Sequence, residues 1–441
     1  MEDVAKAPKI DAKLLAEVVE ESHAWAVAHG LVMGLPGGNA GEVVVALARD
    51  FNVLVHRASN DHAFICSSLE SAARADSFTA SLLAIYKKVY ADGKRQAIEL
   101  GLHRSDYMMH QQPEGPPIPL QVELNTISSA FACLSSNVAQ MHRHASHFEV
   151  SDSTLPPNKS GYALADGMAK AWELYGDKNA VVVMMVQPGE KNSTDQRWLE
   201  YTLWDRHQIR MIRRSLKDLH NRGDGMTVAV TYFRAGYTPN DYPTQDEWQA
   251  RELIERSNTV QCPSLAYHLV GAKKIQQVLS KDGVVERFFP DDAERVARLR
   301  KCFAGLYSLD EGESEEAIKD ALTNPDDYVM KPQREGGGNN LYGEKLKHAL
   351  TTMSAQERAA HILMQRIKPQ PYEAYVYRRG ESSLVQAICE LGVFSVYVSK
   401  GDEEFINEDG GHLLRTKTAS SDEGGVAAGF AVLDSPYLSA W

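Results

Sequence analysis

The stretch from Lys331 to Gly343 reads KPQREGGGNNLYG and directly follows the strand-like Tyr328-Val329-Met330. Its three consecutive glycines allow the backbone to turn amide N–H groups towards a ligand, as a phosphate-binding loop requires. Lys331 can reach phosphate oxygens as a point charge, Glu335 can bind a magnesium ion, and Asn340 can assist either. The alternative is a flexible surface loop. Flanking charges at a strand exit favour the phosphate-binding interpretation.

Two familiar nucleotide-binding fingerprints are missing from the sequence. It contains no GxxxxGK[ST], so it has no P-loop. The early GLPGGNAG, Gly34 to Gly41, has the wrong spacing for GxGxxG and no strand before it. We interpret this early cluster as a turn.

A second candidate site lies at Glu123 and Asn125, in the alternating stretch LQVELN that follows a proline-rich turn. Residues two apart in a strand project from the same face, so the carboxylate and the amide oxygen can bind one hard cation together. The alternative is an ordinary polar strand face. If Glu335 converges with them, two carboxylates share one space, and a magnesium ion bound to ATP phosphates relieves their repulsion. We therefore expect these two distant regions to meet.

The carboxyl-terminal region carries a third candidate, Arg415-Thr416-Lys417 followed by EGGVAAG at residues 423–429. Small residues between glycines form a loop that can close over a ligand, with positive charge beside it. A mobile solvent loop is the alternative. Arg104 in HRSDY and Arg234 in YFRAGY can hold carboxylates, although most arginines are surface residues.

Hydrophobic patterning predicts a mixed α/β chain. We expect a long helical stretch from about Glu70 to Leu100 and a helix-like stretch over residues 195–214. Short β-branched runs at Ala180–Val186 and Thr227–Phe233 indicate buried, partly parallel strands. A helix-rich region follows from about Glu247 to Leu322, and the last third returns to strands in DYVMKPQ, HILMQRI, SLVQAICELGVFSVYV and AVLDSPY.

Bulk properties limit the classes of function. The 441 residues predict two or three structural units. A formal charge of −12 argues against broad attraction to nucleic acid or anionic membranes. No apolar run approaches the roughly 20 residues needed to span a bilayer. The five cysteines are scattered without CxxC spacing, which is typical of a reducing compartment, so we expect a soluble, cytoplasmic protein without structural zinc.

The motifs VELNTIS, YFRAGY, GAKKIQQ, KPQREGGGNNLYG, ELGVF, HLLRTK and GGVAAGFAVLD occur in this order from about residue 100 to the end. Together they closely resemble those of eukaryotic glutathione synthetases. The resemblance implies an ATP-grasp-like α/β (mixed α+β) fold with a mobile lid and a separate three-layer α/β substrate-binding domain. The catalytic domain would comprise residues 1–180 and 270–441, with the lid at roughly 305–386 and the closing loop at 418–430. Residues 181–269 would form the substrate-binding domain.

The same resemblance implies a homodimer that uses ATP and Mg2+ to join γ-glutamylcysteine and glycine through an acyl phosphate. By motif, the metal ligands are Glu123, Asn125 and Glu335, and the catalytic residues are Arg415, Lys331 and Arg104. The nucleotide contacts are Glu123, Lys273, Lys331, Glu335, Gly336, Gly337, Gly338, Asn339, Asn340, Tyr342, Met364, Gln365, Arg366, Ile367, Glu390, Lys417 and Glu423. The substrate contacts are Arg104, Ile127, Ser128, Ser129, Ala130, Glu190, Lys191, Asn192, Gln196, Arg234, Ala235, Gly236, Tyr237, Arg415, Val426 and Ala427.

Three positions depart from the family pattern. Ala130 stands where a serine is frequent, Ala235 where an acidic residue is frequent, and Gln365 where a glutamate is frequent. Small Ala427 and Ala428 favour glycine as acceptor, but one methylene changes binding by only about 1 to 3 kcal/mol. A related ligase that uses another amine, such as β-alanine, and a nucleotide-binding relative without turnover are therefore the two alternatives.

Overall fold

The computed structural model describes residues 13, 15–20, 22, 43–145, 151–190, 192–221, 225–334, 338–378, 381–422, 426 and 431–438. The helices with defined bounds are α1 Val43–Ser59, α2 His62–Ala75, α3 Ser77–Asp92, α4 Ala132–Ala145, α5 Ser160–Tyr175, α6 Ser193–His207, α7 Leu216–Asn221, α8 Gln245–Arg256, α9 Leu265–Val270, α10 Lys273–Ser280, α11 Val284–Phe288, α12 Ala293–Lys301, α13 Glu315–Thr323, α14 Gly343–Thr352 and α15 Ala355–Arg358. Short 3-10 turns occupy Pro239–Asp241 and Pro325–Asp327. Among the described helices, none is both long and apolar enough to cross a membrane.

The strands are β1 Ile98–His110, β2 Ile118–Asn125, β3 Val181–Met185, β4 Met211–Arg214, β5 Val228–Phe233, β6 Val260–Cys262, β7 Leu306–Ser308, β8 Tyr328–Pro332, β9 Leu341–Tyr342, β10 His361–Gln365, β11 Tyr372–Arg378, β12 Glu381–Lys400, β13 Glu403–Thr418 and β14 Ala431–Asp434. They form three sheets. The mixed α/β class that the sequence predicts is therefore confirmed.

The largest sheet is antiparallel, with strand order β14-β13-β12-β1-β2 and β11 paired to β12. Helices α1 and α5 both contact β12, whose apolar side chains contribute to two buried clusters. The approach of α5 is close at Gly167, where a Cβ atom would lie 2.5 Å from Val396 Cγ1. Glycine at this position therefore sets how tightly the helix packs on the sheet.

The second sheet is parallel, with strand order β4-β3-β5-β6. Strand β3 is buried along its whole length, as expected for a central strand covered on both faces. Parallel pairing between β3 and β5 confirms the prediction for these two runs. The sheet spans residues 181–262, inside the region predicted as the substrate-binding domain, whose boundaries stay a prediction.

The third sheet is small and antiparallel, with strand order β7-β10-β8-β9. One face packs with α13 and α14 around Met330, Leu346 and Leu363. On its other face, Val329 and Met364 pack with Leu120 of β2. This second cluster joins the small sheet to the edge of the large one.

Two of the predicted helical stretches were too long. The stretch from Glu70 to Leu100 breaks at Asp76, whose side chain caps α3, and ends at Asp92, after which β1 begins at Ile98. The second stretch ends at His207, and Met211–Arg214 forms the edge strand β4. In both cases the final residues are strands because a neighbouring strand is available to pair with them, which a local pattern does not reveal. The turn predicted at Gly34–Gly41 lies outside the described residues.

Core packing in the small sheet gives a test of stability. Leu363 is fully buried at the centre of β10, whereas Leu384 on β12 is half exposed. We expect Leu363→Ala to lower the free energy of unfolding by about 2–5 kcal/mol, because it removes apolar contacts and leaves a cavity. The control Leu384→Ala should change it by no more than about 0.5 kcal/mol. Urea denaturation followed by circular dichroism measures both, and equal effects would contradict the assigned packing.

Candidate active site

One cavity of about 670 Å³ opens between the large sheet, the small sheet and the ends of the parallel strands. Most of the predicted site residues line it: Arg104, Glu123, Asn125, Ile127, Ser128, Ala130, Glu190, Asn192, Arg234, Tyr237, Lys273, Lys331, Asn340, Tyr342, Met364, Gln365, Arg366, Ile367, Glu390, Arg415, Lys417 and Val426. These come from segments up to about 320 residues apart in the chain. The fold thus brings the separate motifs to one place.

Other predicted residues lie elsewhere. The described residues that are not part of the cavity wall are Ser129, Gln196, Ala235, Gly236, Gly338 and Asn339. Of these, Ser129, Gln196 and Ala235 are buried behind the wall. The predicted residues Lys191, Glu335, Gly336, Gly337, Glu423 and Ala427 lie outside the described part of the chain.

Strand register places the charged residues in a compact row on one face of the large sheet. Arg104 on β1 lies opposite Asn125 on β2, and Asp106 lies opposite Glu123. On the other side of β1, Asp106 lies opposite Gly392 of β12. Farther along β12, Glu390 lies opposite Arg415 of β13. Because side chains alternate along each strand, these residues share the face that forms the cavity floor.

Cations surround the Glu123 carboxylate. Lys273 Nζ lies 3.8 Å from Glu123 Oε2, and Lys331 and two arginines act on the same group. Burial raises the pKa of Glu123, but these cations together outweigh burial and lower the pKa to about 2. Glu123 is therefore a carboxylate over the whole physiological pH range.

Two lysines connect the start of the glycine-rich loop to the large sheet. Lys331 is buried, and its Nζ donates to the Val122 carbonyl at 2.8 Å. Lys273 Nζ donates to the Arg334 carbonyl at 2.7 Å while it faces Glu123. Lys273 thus lies between Arg334, the residue immediately before Glu335, and the predicted metal ligand Glu123. Burial and the nearby Lys273 lower the pKa of Lys331, and Glu123 opposes that shift.

A second contact fixes the same loop from outside the cavity. The Arg334 guanidinium lies 2.5 Å from the buried Asp76 carboxylate, which also accepts a hydrogen bond from the Thr79 amide and so caps α3. The N–H of Lys274 donates to Gln333 Oε1 at 3.1 Å. These contacts therefore hold Gln333 and Arg334, the two residues that precede the glycine-rich segment, in place.

Two arginines project from the floor beside Glu123. Arg104 binds Asp106 side-on through Nε and Nη2, at 2.7 and 2.8 Å. Arg415 Nη2 donates to Asp106 Oδ2 at 3.0 Å and also to Glu390 Oε1. Burial lowers the pKa of Arg415, but Glu390 and Asp106 outweigh it and raise the value, so the side chain remains a cation. Burial raises the pKa of Glu390, and the Asp106 and Glu123 carboxylates add to that shift.

Asn125 has an amide group of defined orientation. Its Nδ2 donates to Asp106 Oδ2 at 3.0 Å and to Glu123 Oε1 at 3.3 Å, so its carbonyl oxygen is the atom that remains for a ligand. A charged carboxylate and an amide oxygen on neighbouring same-face positions are hard oxygen donors of the kind that Mg2+ prefers. Among the described residues no cluster of three or more carboxylate, imidazole or thiol groups has metal-site geometry. The side chains of β2 thus fit part of a magnesium site.

The wall opposite the lysines is built from the turn after β2 and the end of β5. Arg234 follows β5 directly, is buried, and donates through Nη1 to the Ser128 carbonyl at 2.6 Å. Ser128 adopts a positive φ of 56° and returns a hydrogen bond from Oγ to the Phe233 carbonyl at 3.0 Å. Asp195 holds the same turn, because its carboxylate accepts hydrogen bonds from the Phe131, Cys133 and Leu134 amides. This wall presents Arg234 and Tyr237 to the cavity.

The small sheet covers the other end. Met364 and Ile367 flank a strand exit at which the Gln365 N–H donates to the Gly305 carbonyl at 2.8 Å. Arg366 lies 2.5 Å from Asp422 of the carboxyl-terminal loop, and its guanidinium carbon lies 5.5 Å from the Tyr342 ring centroid. Lys417 Nζ donates to the Asp422 carbonyl at 2.9 Å. A site made of apolar side chains and one aromatic ring, with charged side chains at its edge, is suited to binding a planar base.

Asp106 and Asp422 also contact predicted site residues, although the sequence motifs indicate neither. Asp106 stands two residues after Arg104 in a strand, so same-face spacing was an available signal. Asp422 lies in a polar, glycine-rich stretch without periodicity, and nothing in the sequence pairs it with Arg366.

Comparisons with known proteins show which family this chain resembles. A family model described as the ATP-binding domain of eukaryotic glutathione synthase matches residues 39–438. The chain is 46% identical to the glutathione synthetase of Homo sapiens over 413 residues, which cover 90% of this chain and 86% of the human protein. It is 43% identical to the chloroplastic glutathione synthetase of Solanum lycopersicum, over 97% of this chain and 85% of that protein.

A solved structure shares the fold. The glutathione synthetase-like effector of Globodera pallida in its apo form superimposes with a TM-score of 0.78 at 21% identity, covering 98% of this chain and 100% of that one. The ATP-grasp-like class predicted from the resemblance agrees with this similarity of fold.

The charge on Glu123 gives a pH test on the ligand-free protein. The pKa of about 2 lies below the ordinary value of 4.5, so the unfolded chain takes up the proton first as pH falls. The stability contributed by the charged group is therefore fully present above about pH 4.5 and is lost as the pH falls towards 2. We expect the difference in unfolding free energy between wild type and Glu123→Gln to shrink between pH 5 and pH 3. A difference that stays constant in urea titrations across this window would contradict the assignment.

Proposed function

The chain belongs to the eukaryotic glutathione synthase family, and we propose that it joins γ-glutamylcysteine to glycine with ATP and magnesium, releasing ADP and phosphate. The observation that carries the proposal is the set of cations that converge on one cavity: Arg104, Lys273, Lys331, Arg415 and Lys417. They stand beside Glu123 and Asn125 at the entry to the glycine-rich loop. Phosphoryl transfer depends mainly on positioning and charge neutralisation, which such a set supplies.

The proposed reaction has two steps. In the first, a cysteinyl carboxylate oxygen forms a bond to the γ-phosphorus of ATP while the bond to ADP breaks. In the second, the glycine nitrogen attacks the acyl carbon, phosphate leaves and the amine loses a proton. In this proposal Lys331 and Lys273 hold phosphate oxygens, and Arg104 and Arg415 hold the negative charge on the carboxylate that reacts. All four side chains line the cavity.

We assign magnesium to Glu123, Asn125 and Glu335. The charged state of Glu123 and the position of Asn125, whose Nδ2 donates to Asp106 and so leaves its amide oxygen as an acceptor, support the first two ligands. Glu335 is assigned from the family motif alone. The ion would neutralise phosphate charge and orient the phosphoryl group for transfer. The remaining nucleotide and substrate contacts that were carried over from the family stay predictions, as do the homodimer and the cytoplasmic location.

The test for the activity uses the purified full chain with γ-glutamylcysteine, glycine, ATP and magnesium. We expect equimolar release of phosphate and formation of glutathione, measured by mass spectrometry. The same assay with a panel of amines, including β-alanine and serine, distinguishes the alternative acceptor. Turnover with another amine and none with glycine favours a related ligase, and ATP binding without any turnover favours a non-catalytic relative.

A variant tests the magnesium assignment. We expect Glu335→Gln to lower magnesium-dependent turnover by roughly 100-fold or more, because it removes a charged ligand from the transition state, while the fold is preserved. Glu344→Gln, at an exposed position on the neighbouring α14, is the matched control and should retain full activity. Steady-state rates across a magnesium titration, with circular dichroism of both variants, measure the effect. Wild-type activity in Glu335→Gln removes this residue from the site.

A further inference from the structure

The Asp106 carboxylate is fully buried at the centre of the charged row. Its Oδ1 accepts from Arg104 Nε at 2.7 Å, and its Oδ2 accepts from Arg104 Nη2 at 2.8 Å, Arg415 Nη2 at 3.0 Å and Asn125 Nδ2 at 3.0 Å. One carboxylate therefore contacts three residues that line the cavity, and these residues come from β1, β2 and β13. Asp106 itself does not line the cavity, so it has no direct access to a ligand there.

We propose that Asp106 is a positioning residue that holds Arg104 and Arg415 at a fixed distance and angle, so that their remaining N–H groups receive the reacting carboxylate. This inference rests on the proposed function. A guanidinium carries five N–H donors. Arg104 uses two of them on Asp106 and one on the Ala130 carbonyl, at 3.2 Å, so further donors face the cavity. Arg415 shares one nitrogen between Asp106 and Glu390.

The Asp106 carboxylate also offsets the repulsion between the two arginines. Two guanidinium groups around one oxygen atom repel each other, and Asp106 supplies the negative charge between them. Without that charge the arginines would separate or take up a solvent ion. The geometry of their remaining N–H groups therefore depends on this carboxylate, which is itself fully buried.

Gly392 provides independent support. It lies opposite Asp106 in the β1–β12 pairing, and a Cβ atom there would lie 2.6 Å from Asp106 Oδ1 and 2.8 Å from Arg104 Cδ. Its φ is not in the left-handed region, so backbone conformation does not demand glycine at this position. The missing side chain instead gives the Arg104–Asp106 pair room to lie flat across β12.

Asp106→Asn is the first test variant. One of its two terminal atoms becomes an N–H donor, and both positions already face donors, so the amide displaces at least one arginine while the residue volume is kept. We expect KM for γ-glutamylcysteine to rise about 10- to 100-fold, because misplacement of such a group by about 1 Å has effects of this size. KM for ATP should change less than about threefold. A purely structural role would reduce the active fraction and leave the ratio of the two KM values unchanged.

The matched control is Asp166→Asn. Asp166 binds Arg206 with the same side-on geometry, at 3.1 and 2.9 Å, on the surface away from the cavity. We expect this variant to keep both KM values of the wild type. Asp106→Glu, which keeps the charge, should recover part of the affinity for the dipeptide.

Gly392→Ala is the second test variant, since it pushes the same ion pair without changing any charge. We expect it to raise KM for γ-glutamylcysteine in the same selective way. Unchanged affinity for the dipeptide in a folded Asp106→Asn protein overturns the proposal. If neither Asp106→Asn nor Gly392→Ala folds, the proposal is also overturned, because Asp106 then contributes to stability alone. Absence of glutathione formation by the wild type would instead reject the proposed function, and calorimetric binding of the dipeptide to each variant then decides the positioning role separately.

Discussion

The balance of charge on one face of the large sheet is the constraint on which the site depends. Arg104, Arg415, Lys273 and Lys331 would repel one another in a partly buried space, where a unit pair at 4 Å is worth about 4 kcal/mol at an intermediate dielectric. Three carboxylates, Asp106, Glu123 and Glu390, stand among them. The carboxylates thereby hold the cations in place beside the cavity.

The backbone geometry of the large sheet leaves enough room for this row of charged side chains. Antiparallel pairing sets Asn125, Arg104, Asp106 and Glu123 on adjacent strands with their side chains on one face. A glycine at 392 leaves room for the arginine–aspartate pair, and a glycine at 167 lets α5 pack against Val396 farther along the same face of that strand. Leu391 and Val393, on the opposite face, belong to a buried apolar cluster. The polar row is thus supported by an apolar layer and does not depend on loops for its position.

The small sheet connects to this floor through few but directed contacts. Lys331 bonds to the backbone of β2, Lys273 bonds to the backbone of Arg334, and an apolar cluster at Leu120, Val329 and Met364 lies between them. The strand that carries Lys331 is therefore bonded directly to the strand that carries Glu123 and Asn125. A displacement of the small sheet would therefore alter the position of Lys331 and the electrostatic environment of Glu123 together.

Local sequence patterns alone determined several of the strands and pointed to the candidate site of this protein. Period-two alternation identified β2, β-branched runs identified β3 and β5, and the charged glycine-rich motif after a strand indicated a nucleotide site before any fold was known. The same local signals extended a helix to Leu100, although β1 already begins at Ile98, because strand formation there depends on pairing with β12. Only the tertiary structure decided that Asp106 joins Arg104, Arg415 and Asn125, and that Asp422 meets Arg366. Hydrogen bonds and ion pairs between residues on different strands are set by strand order and register, which no short stretch of sequence specifies.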